Sequence, residues 1–412
     1  MSGGDHLSRL KEEGPSPTVV ILAVGLFHGI YALLTGVTSA PDSVAYAYWA
    51  GRLIDSGFDY PTLLSEAEVG FPPILYALFA TLLALLRLVF GTEYGTALVA
   101  VNFLAHLTLG LLLVALVKRL TRSGIAAWIA LILFLACHEI VRWVPFLLSD
   151  STFVLFAFAI FYLASARILG DRSGWLPVLL PASAAVIYRP TGIVLLPDLV
   201  FAAILSRWRR PLRRKGLVLA AAGAGVLALI FLFAWFMQAP GRWPFHPLSG
   251  AIHMVAGGYG IGEVVSARLE TAHAPPQALI DYVLISADRF VHFFAIGAAD
   301  YSAVHWTVTL VFFVPCYGLS AWLCIALLRG RSGFRAAEQR VFIAAAGAIF
   351  SYALFHGLIQ IDFDWRYRLV ILPHLILLAS GGAASLLHQF RSGAASTLAQ
   401  PDGDARTAAP LP

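Results

Sequence analysis

Charged side chains are scarce in this sequence. They make up 12% of its 412 residues, whereas 59% are hydrophobic. A soluble domain carries about twice that charge density, so a soluble enzyme and a disordered chain are both excluded. Cysteine is nearly absent as well. The three present, Cys137, Cys316 and Cys324, lie in apolar stretches without CxxC spacing, which excludes a disulfide framework and a zinc site and leaves them as packing residues. The formal net charge of +5 reads as membrane topology rather than nucleic-acid affinity, and nucleic acid is not an expected partner.

What is present is a series of long charge-free runs: Val19 to Pro41, Tyr94 to Val117, Leu217 to Gly241, Tyr301 to Leu328 and Leu369 to Phe390. At about 1.5 Å per residue each is long enough to cross a ~30 Å hydrocarbon core. The fold class is therefore all-α, a polytopic transmembrane helical bundle. The first run follows Arg9 and Lys11 and is of full span length, with more spans after it, so it reads as an uncleaved anchor rather than a signal peptide.

One segment, Phe71 to Phe90, could cross the membrane or lie along its outer surface. If it does not cross, the basic residues divide 19 inside and 9 outside; if it does, every later loop flips and they divide 10 and 18. Cytoplasmic loops are the ones enriched in Lys and Arg, so the non-crossing arrangement is expected. It gives about ten spans, near 19–38, 95–117, 123–141, 147–166, 173–188, 191–206, 216–238, 304–328, 341–361 and 369–389. The protein then lies in the inner (plasma) membrane with both termini cytoplasmic, the run Arg207 to Lys215 included on that side. Residues 1–390 form the transmembrane domain and the small, polar, Pro-containing tail 391–412 is expected to be disordered. Two large outer segments remain, Ser39 to Tyr94 with interfacial helices and Ala239 to Ala303. In the second, apolar residues at Leu279, Tyr282, Val283, Ile285, Phe290 and Phe293 suggest another helix at the interface.

Outer-face charges gather at Asp42, at Glu139 to Asp150, at Arg189, in the second large loop and at Asp362 to Arg368. Ionisable groups at the hydrocarbon boundary are costly, so their clustering on one side points to a polar chamber open to the outside. Asp42 follows the first span in SAPDSVAYAYWAGRLIDSGFDYP, where Pro41 and the spacing of Val44, Tyr48 and Leu53 predict a short helix. Its carboxylate is either a general base for a hydroxyl nucleophile or a helix N-cap. Asp198 lies inside an apolar span, paired with a neighbouring helix or lining a cavity. GGYGIG (Gly257 to Gly262) lacks the flanking strand and helix of a dinucleotide fingerprint and reads as a loop. His246, His253, His273, His292 and His305 fall on the outer side without an HxxxH pair. A divalent metal is therefore unsupported though not excluded, and no cofactor is certain.

Five segments together resemble the GT-C superfamily of integral-membrane glycosyltransferases, especially the bacterial branch of aminoarabinose transferases and protein-mannosyltransferase-like enzymes. PDSVAYAYWAGRLIDSG (Pro41 to Gly57) looks like the family's first-loop Asp motif, and GFPPILYALFATLL (Gly70 to Leu83) like its non-crossing PPLY-type helix. LLSDSTFVLFAFAIFYLA (Leu147 to Ala164), IYRPTGIVLLP (Ile187 to Pro197) and WRYRLVILPHLILLA (Trp365 to Ala379) are similar to later family segments in order and spacing. The resemblance implies inverting transfer of a sugar from a polyprenyl-phosphate donor to a hydroxyl of a glycan, lipid or protein acceptor on the outer, periplasmic face. Asp42 would act as the base. The leaving lipid phosphate calls for preorganised cations, and Arg suits phosphate by bidentate hydrogen bonding. The substrate-binding candidates are Arg189, Arg366 and Arg368, with Arg142 behind them and Asp150 and Tyr367 beside them. Arg368 is favoured over Arg366 for the chamber because it lies closer to the membrane. The competing reading is a transporter or flippase coupled through Asp198. That class shows paired repeats and broken helices in corresponding positions, and the sequence has neither.

Overall fold

The computed structural model describes residues 13–61, 76–171, 174–208, 279–298, 300–358 and 365–398, and these are helical throughout apart from short connections. Helix α1 (Pro17–Thr35) starts where the Ser16 hydroxyl accepts from the Val19 amide. It widens into one π turn at Gly25–Gly29 and stops at Gly36, whose φ of 68° suits a residue without a Cβ. Helix α2 (Pro41–Asp55) is the short helix expected after the first span. Its buried face is Tyr46, Trp49, Ala50 and Leu53, spaced at i, i+3, i+4 and i+7. Of the residues expected to line that face only Leu53 does so. Val44 and Tyr48 point outward, 72% and 42% exposed, because the face turned to the core is the one that carries Tyr46 and Trp49.

Helix α3 (Ala77–Phe90) packs against α2. Its 14 residues reach about 21 Å, short of the ~30 Å needed to cross. A break at Gly91, with φ 57°, and one 3-10 turn separate it from α4 (Tyr94–Thr121). Helix α5 (Gly124–Ala136), capped by the Ser123 hydroxyl on the Ala126 amide, gives way at Cys137 to a single turn, His138–Val141. After it come α6 (Asp150–Ile168), α7 (Leu176–Tyr188), α8 (Leu195–Arg207), α9 (Leu279–His292), α10 (Ala303–Leu328), α11 (Ala336–Leu358) and α12 (Leu372–Leu398).

Nine of the ten expected spans coincide with apolar helices. Seven are long enough to cross a membrane, α8 when counted with the 3-10 turn before it as Pro190–Arg207, and α5 and α7 are shorter. The tenth, 216–238, lies outside the described residues, as do the run from Arg209 to Lys215, GGYGIG, and His246, His253 and His273. Among the boundaries that differ from expectation are those of the last two spans. Helix α11 begins at Ala336 rather than near 341, because Glu338 accepts from the Arg335 amide (2.8 Å) and caps a turn too charged to read as membrane. Helix α12 continues to Leu398, past the expected end of the last span near Arg391; residues 399–412 lie outside the described residues.

The last span is the hub. Of its apolar stretch 94% is buried inside the bundle, against 22% for α1, so α12 is surrounded by protein while α1 turns most of its surface outward. Contact with α10 is close enough that a Cβ on Gly382 would lie 2.0 Å from the Leu319 carbonyl oxygen. Small residues at such crossings let helix backbones approach where lipid supplies no hydrophobic drive. The segment leading into α12 carries Arg366, Tyr367 and Arg368, which are thereby held on the most constrained element of the bundle.

Candidate active site

Four segments converge at one end of the bundle: the start of α2, the loop into α6, the junction between α7 and α8, and the 3-10 turn Trp365–Ile371 before α12. Each has a local reason to be there. The strip after α1 pairs with the loop before α6, Thr38 N–H donating to the Pro145 carbonyl (3.0 Å) and Leu147 N–H to the Thr38 carbonyl (2.9 Å). Ser43 fastens the same loop, donating to the Leu147 carbonyl (3.0 Å) and accepting from the Ala40 amide (2.9 Å). From α4 the fully buried Asn102 donates to the carbonyls of Val144 (3.2 Å) and Phe146 (3.0 Å). Arg189 is extended, φ −158° and ψ 139°, as the residue before Pro190 must be. That kink turns its side chain out of the helix line toward Asp150.

The charges form a linked set. Asp42 Oδ2 lies 2.8 Å from Arg366 Nη1. Asp150 Oδ1 lies 2.5 Å from Arg189 Nη1 and 3.9 Å from Arg366 Nε. Arg189 also donates to the Ser149 hydroxyl (3.4 Å). Two carboxylates and two guanidiniums thus alternate, with Arg366 bridging both acids. The Asp150 and Arg189 side chains are almost wholly buried, whereas Asp42 is one third exposed and open to an incoming group. Asp42 is not an N-cap. Ala40 holds that place, the Ser43 side chain serves the Ala40 amide, and the Asp42 carboxylate is turned to Arg366.

Asp150, Arg189, Thr191, Arg366 and Tyr367 line a cavity of about 10 Å³ floored by Phe153 and Val154, room for about one water molecule. The Tyr367 ring faces both guanidiniums, 5.7 Å from Arg189 and 5.4 Å from Arg366, within cation–π range. Beside them the Tyr46 and Tyr76 rings lie 5.0 Å apart, tilted by 53°. Burial pushes the Tyr76 phenol up to about 12, against the pull of Arg189, and raises Tyr46 as well. Burial also works against the Arg189 charge, but Asp150 and then Tyr76 and Tyr46 more than offset it and hold the guanidinium above its ordinary value.

Of the residues singled out in the sequence, Asp42, Asp150, Arg189, Arg366 and Tyr367 come together here. Arg368 does not. It is 1% exposed and committed to Glu139, with Nε donating to Oε2 at 2.7 Å and Nη2 to Oε1, and to the Ala295 carbonyl. Its guanidinium lies 4.4 Å from the Phe313 ring. Being closer to the membrane buried it in protein instead of turning it to the chamber, and Arg366 takes the chamber position. Arg142 lies behind Arg366 on a shared ring, its guanidinium 5.0 Å and that of Arg366 6.0 Å from the Trp143 ring. Asp198 lies beside Ser351 on the neighbouring helix α11, and its Oδ2 is buried without a hydrogen-bond partner. Tyr46, Tyr76 and Ser149 were not singled out, although Tyr76 ends the PPILY run and Ser149 precedes Asp150. Asp362 and Asp364 lie outside the described residues. Among the described residues no three His, Cys, Asp or Glu side chains are grouped to hold a metal ion.

Residues 72–236 match the family model for dolichyl-phosphate-mannose-protein mannosyltransferase. No curated protein matches. Among solved structures, ArnT from Cupriavidus metallidurans bound to undecaprenyl phosphate is similar at 16% identity and a TM-score of 0.43, over 96% of this chain. The chain spans 66% of the length of that structure. The family-model match bears out the resemblance, read from the motifs, to GT-C integral-membrane glycosyltransferases.

Proposed function

We propose that this membrane protein transfers a sugar from a polyprenyl-phosphate-linked donor to an acceptor hydroxyl on the outer, periplasmic face, with inversion at the anomeric carbon. The observation that carries the reading is the alternating set Asp42, Arg366, Asp150 and Arg189 at one end of the bundle. A dolichyl-phosphate mannose donor, named in the matching family, is itself a polyprenyl-phosphate sugar, and its reactive phosphate sits where lipid meets water.

In this scheme the partly exposed Asp42 takes the proton of the acceptor hydroxyl. The acceptor oxygen forms a bond to the anomeric carbon as the bond from that carbon to the phosphate oxygen breaks. The bonding pair passes to the phosphate, where the charge that develops is met by Arg366 and Arg189. Asp150 keeps Arg189 fixed and charged, so the cation is in place before the reaction begins.

The geometry adds a requirement. Arg366 binds Asp42 at 2.8 Å, and the cavity holds about one water. Donor phosphate therefore enters by exchanging with the Asp42 carboxylate on Arg366, which frees the base as it seats the leaving group. Purified protein in lipid nanodiscs, supplied with a polyprenyl-phosphate sugar and assayed for release of the polyprenyl phosphate, tests the reading. Arg366→Gln and Arg189→Gln are expected to abolish release.

A further inference from the structure

The opposite end of the bundle carries a second built site. Arg122 ends α4 in a left-handed conformation, φ 52°, and Arg335 precedes α11. Both are held by one carboxylate, Glu338, whose side chain is 3% exposed. Glu338 Oε1 accepts from Arg122 Nη2 and from Nε (2.8 Å) and Nη2 (2.6 Å) of Arg335, while Oε2 accepts from the Arg335 amide (2.8 Å). The Arg122 and Arg335 side chains are 55% and 69% exposed. A guanidinium has five N–H donors, so each keeps several that Glu338 does not use.

Those arginines line a cavity of about 570 Å³ together with His388 and Arg391 of α12. The volume lies in the range of ordinary ligand sites, about 300–1,000 Å³. Three arginines face one buried carboxylate, so the site is cationic, and Phe334 and Leu387 give it apolar wall. Helix α6 alone, with 19 residues, separates the two ends of the bundle by about 28 Å, so this cavity is remote from the Asp42 set. It sits where α4 ends and α11 begins, beside the C-terminal part of α12.

We propose that this cavity binds the phosphate of an anionic phospholipid, with Arg122, Arg335 and Arg391 on the phosphate and the apolar wall against the upper acyl chain. Buried Glu338 positions two of the three cations by direct hydrogen bonds, which makes the site preorganised rather than a loose basic patch. Basic pockets between helices at a membrane face are suited to anionic headgroups. A zwitterionic lipid brings a cation of its own into the same space and is disfavoured.

Native mass spectrometry of the full chain, released from micelles doped with phosphatidylglycerol or phosphatidylcholine, tests this. Expected is retention of phosphatidylglycerol at least about tenfold over phosphatidylcholine, a discrimination of about 1.4 kcal/mol. Arg122→Gln leaves Glu338 its Arg335 partner, and Arg391→Gln removes no ion pair described here. Each should lose most of the retained phosphatidylglycerol with an unchanged melting temperature, and Arg391→Lys should keep it. Equal retention of the two lipids, or undiminished phosphatidylglycerol in the folded Arg122→Gln and Arg391→Gln proteins, would overturn the proposal. Displacement of the lipid by millimolar inorganic phosphate would overturn the lipid assignment in favour of a soluble phosphate.

Discussion

Asp42, at the start of α2, and Arg366, at the entry to the last span, are joined by an ion pair of 2.8 Å. They are 324 positions apart in the chain and belong to the two segments that the motif reading assigned to the base and to the phosphate. The pair closes the site from one side, while Asp150 and Arg189 close it from the other.

The first prediction concerns the shape of the cation. Lysine at position 366 keeps a point charge but not the planar fork that meets two phosphate oxygens, or a carboxylate and a phosphate, at once. Arg366→Lys should lower donor affinity by roughly tenfold or more, about 1.4 kcal/mol. Titration of the purified variant with a polyprenyl-phosphate sugar checks it; affinity equal to wild type would place the phosphate elsewhere.

The second separates Arg368 from the chamber. Its guanidinium and Glu139 are buried together, and removing one partner of such a pair costs roughly 3–5 kcal/mol because it strands the other charge. Glu139→Gln should therefore lower the unfolding temperature in detergent by several degrees. Whatever fraction stays folded should bind donor normally. Full stability with lost donor binding would return Arg368 and Glu139 to the substrate site.

The third tests how the site is positioned. Asn102 donates from the middle of the bundle to two carbonyls of the loop that delivers Asp150. Asn102→Leu fills similar space but leaves those carbonyls unpaired, a loss of about 1–3 kcal/mol. The expected result is a lower melting temperature together with weaker turnover, from a residue that touches no charged group of the site. Unchanged turnover would show that other contacts hold the loop.

Most of the spans were legible because long apolar runs survive averaging: the expected 304–328 is found as Ala303–Leu328, and 95–117 as Tyr94–Thr121. Boundaries failed where polar chemistry decided them. The span expected from 147 begins at Asp150 because Leu147 is occupied in pairing with Thr38, a contact over a hundred residues distant that no local pattern displays. The site was legible as a set of residue types at one membrane face, and five of its expected members do meet. Which of two arginines faced the chamber was not legible. Residues 366 and 368 differ by whether Glu139 lies opposite, which depends on the turn His138–Val141 where α5 breaks. The pairing of Asp42 with Arg366 was hidden for the same reason, and the N-cap reading of Asp42 failed because the N-cap is Ala40, two residues earlier, with Ser43 accepting from its amide.

The exchange of Asp42 for phosphate on Arg366 is the centre of the account, and Asp42→Asn in nanodiscs tests it most directly when donor affinity and turnover are measured on the same protein. Asparagine keeps the size of the side chain but neither competes for the guanidinium as an anion nor accepts the acceptor's proton. The variant should bind the polyprenyl-phosphate sugar at least as tightly as wild type while turnover falls by about 10²–10⁴. Turnover within a few fold of wild type, in a variant as stable as the parent, would contradict the assignment of Asp42 as base.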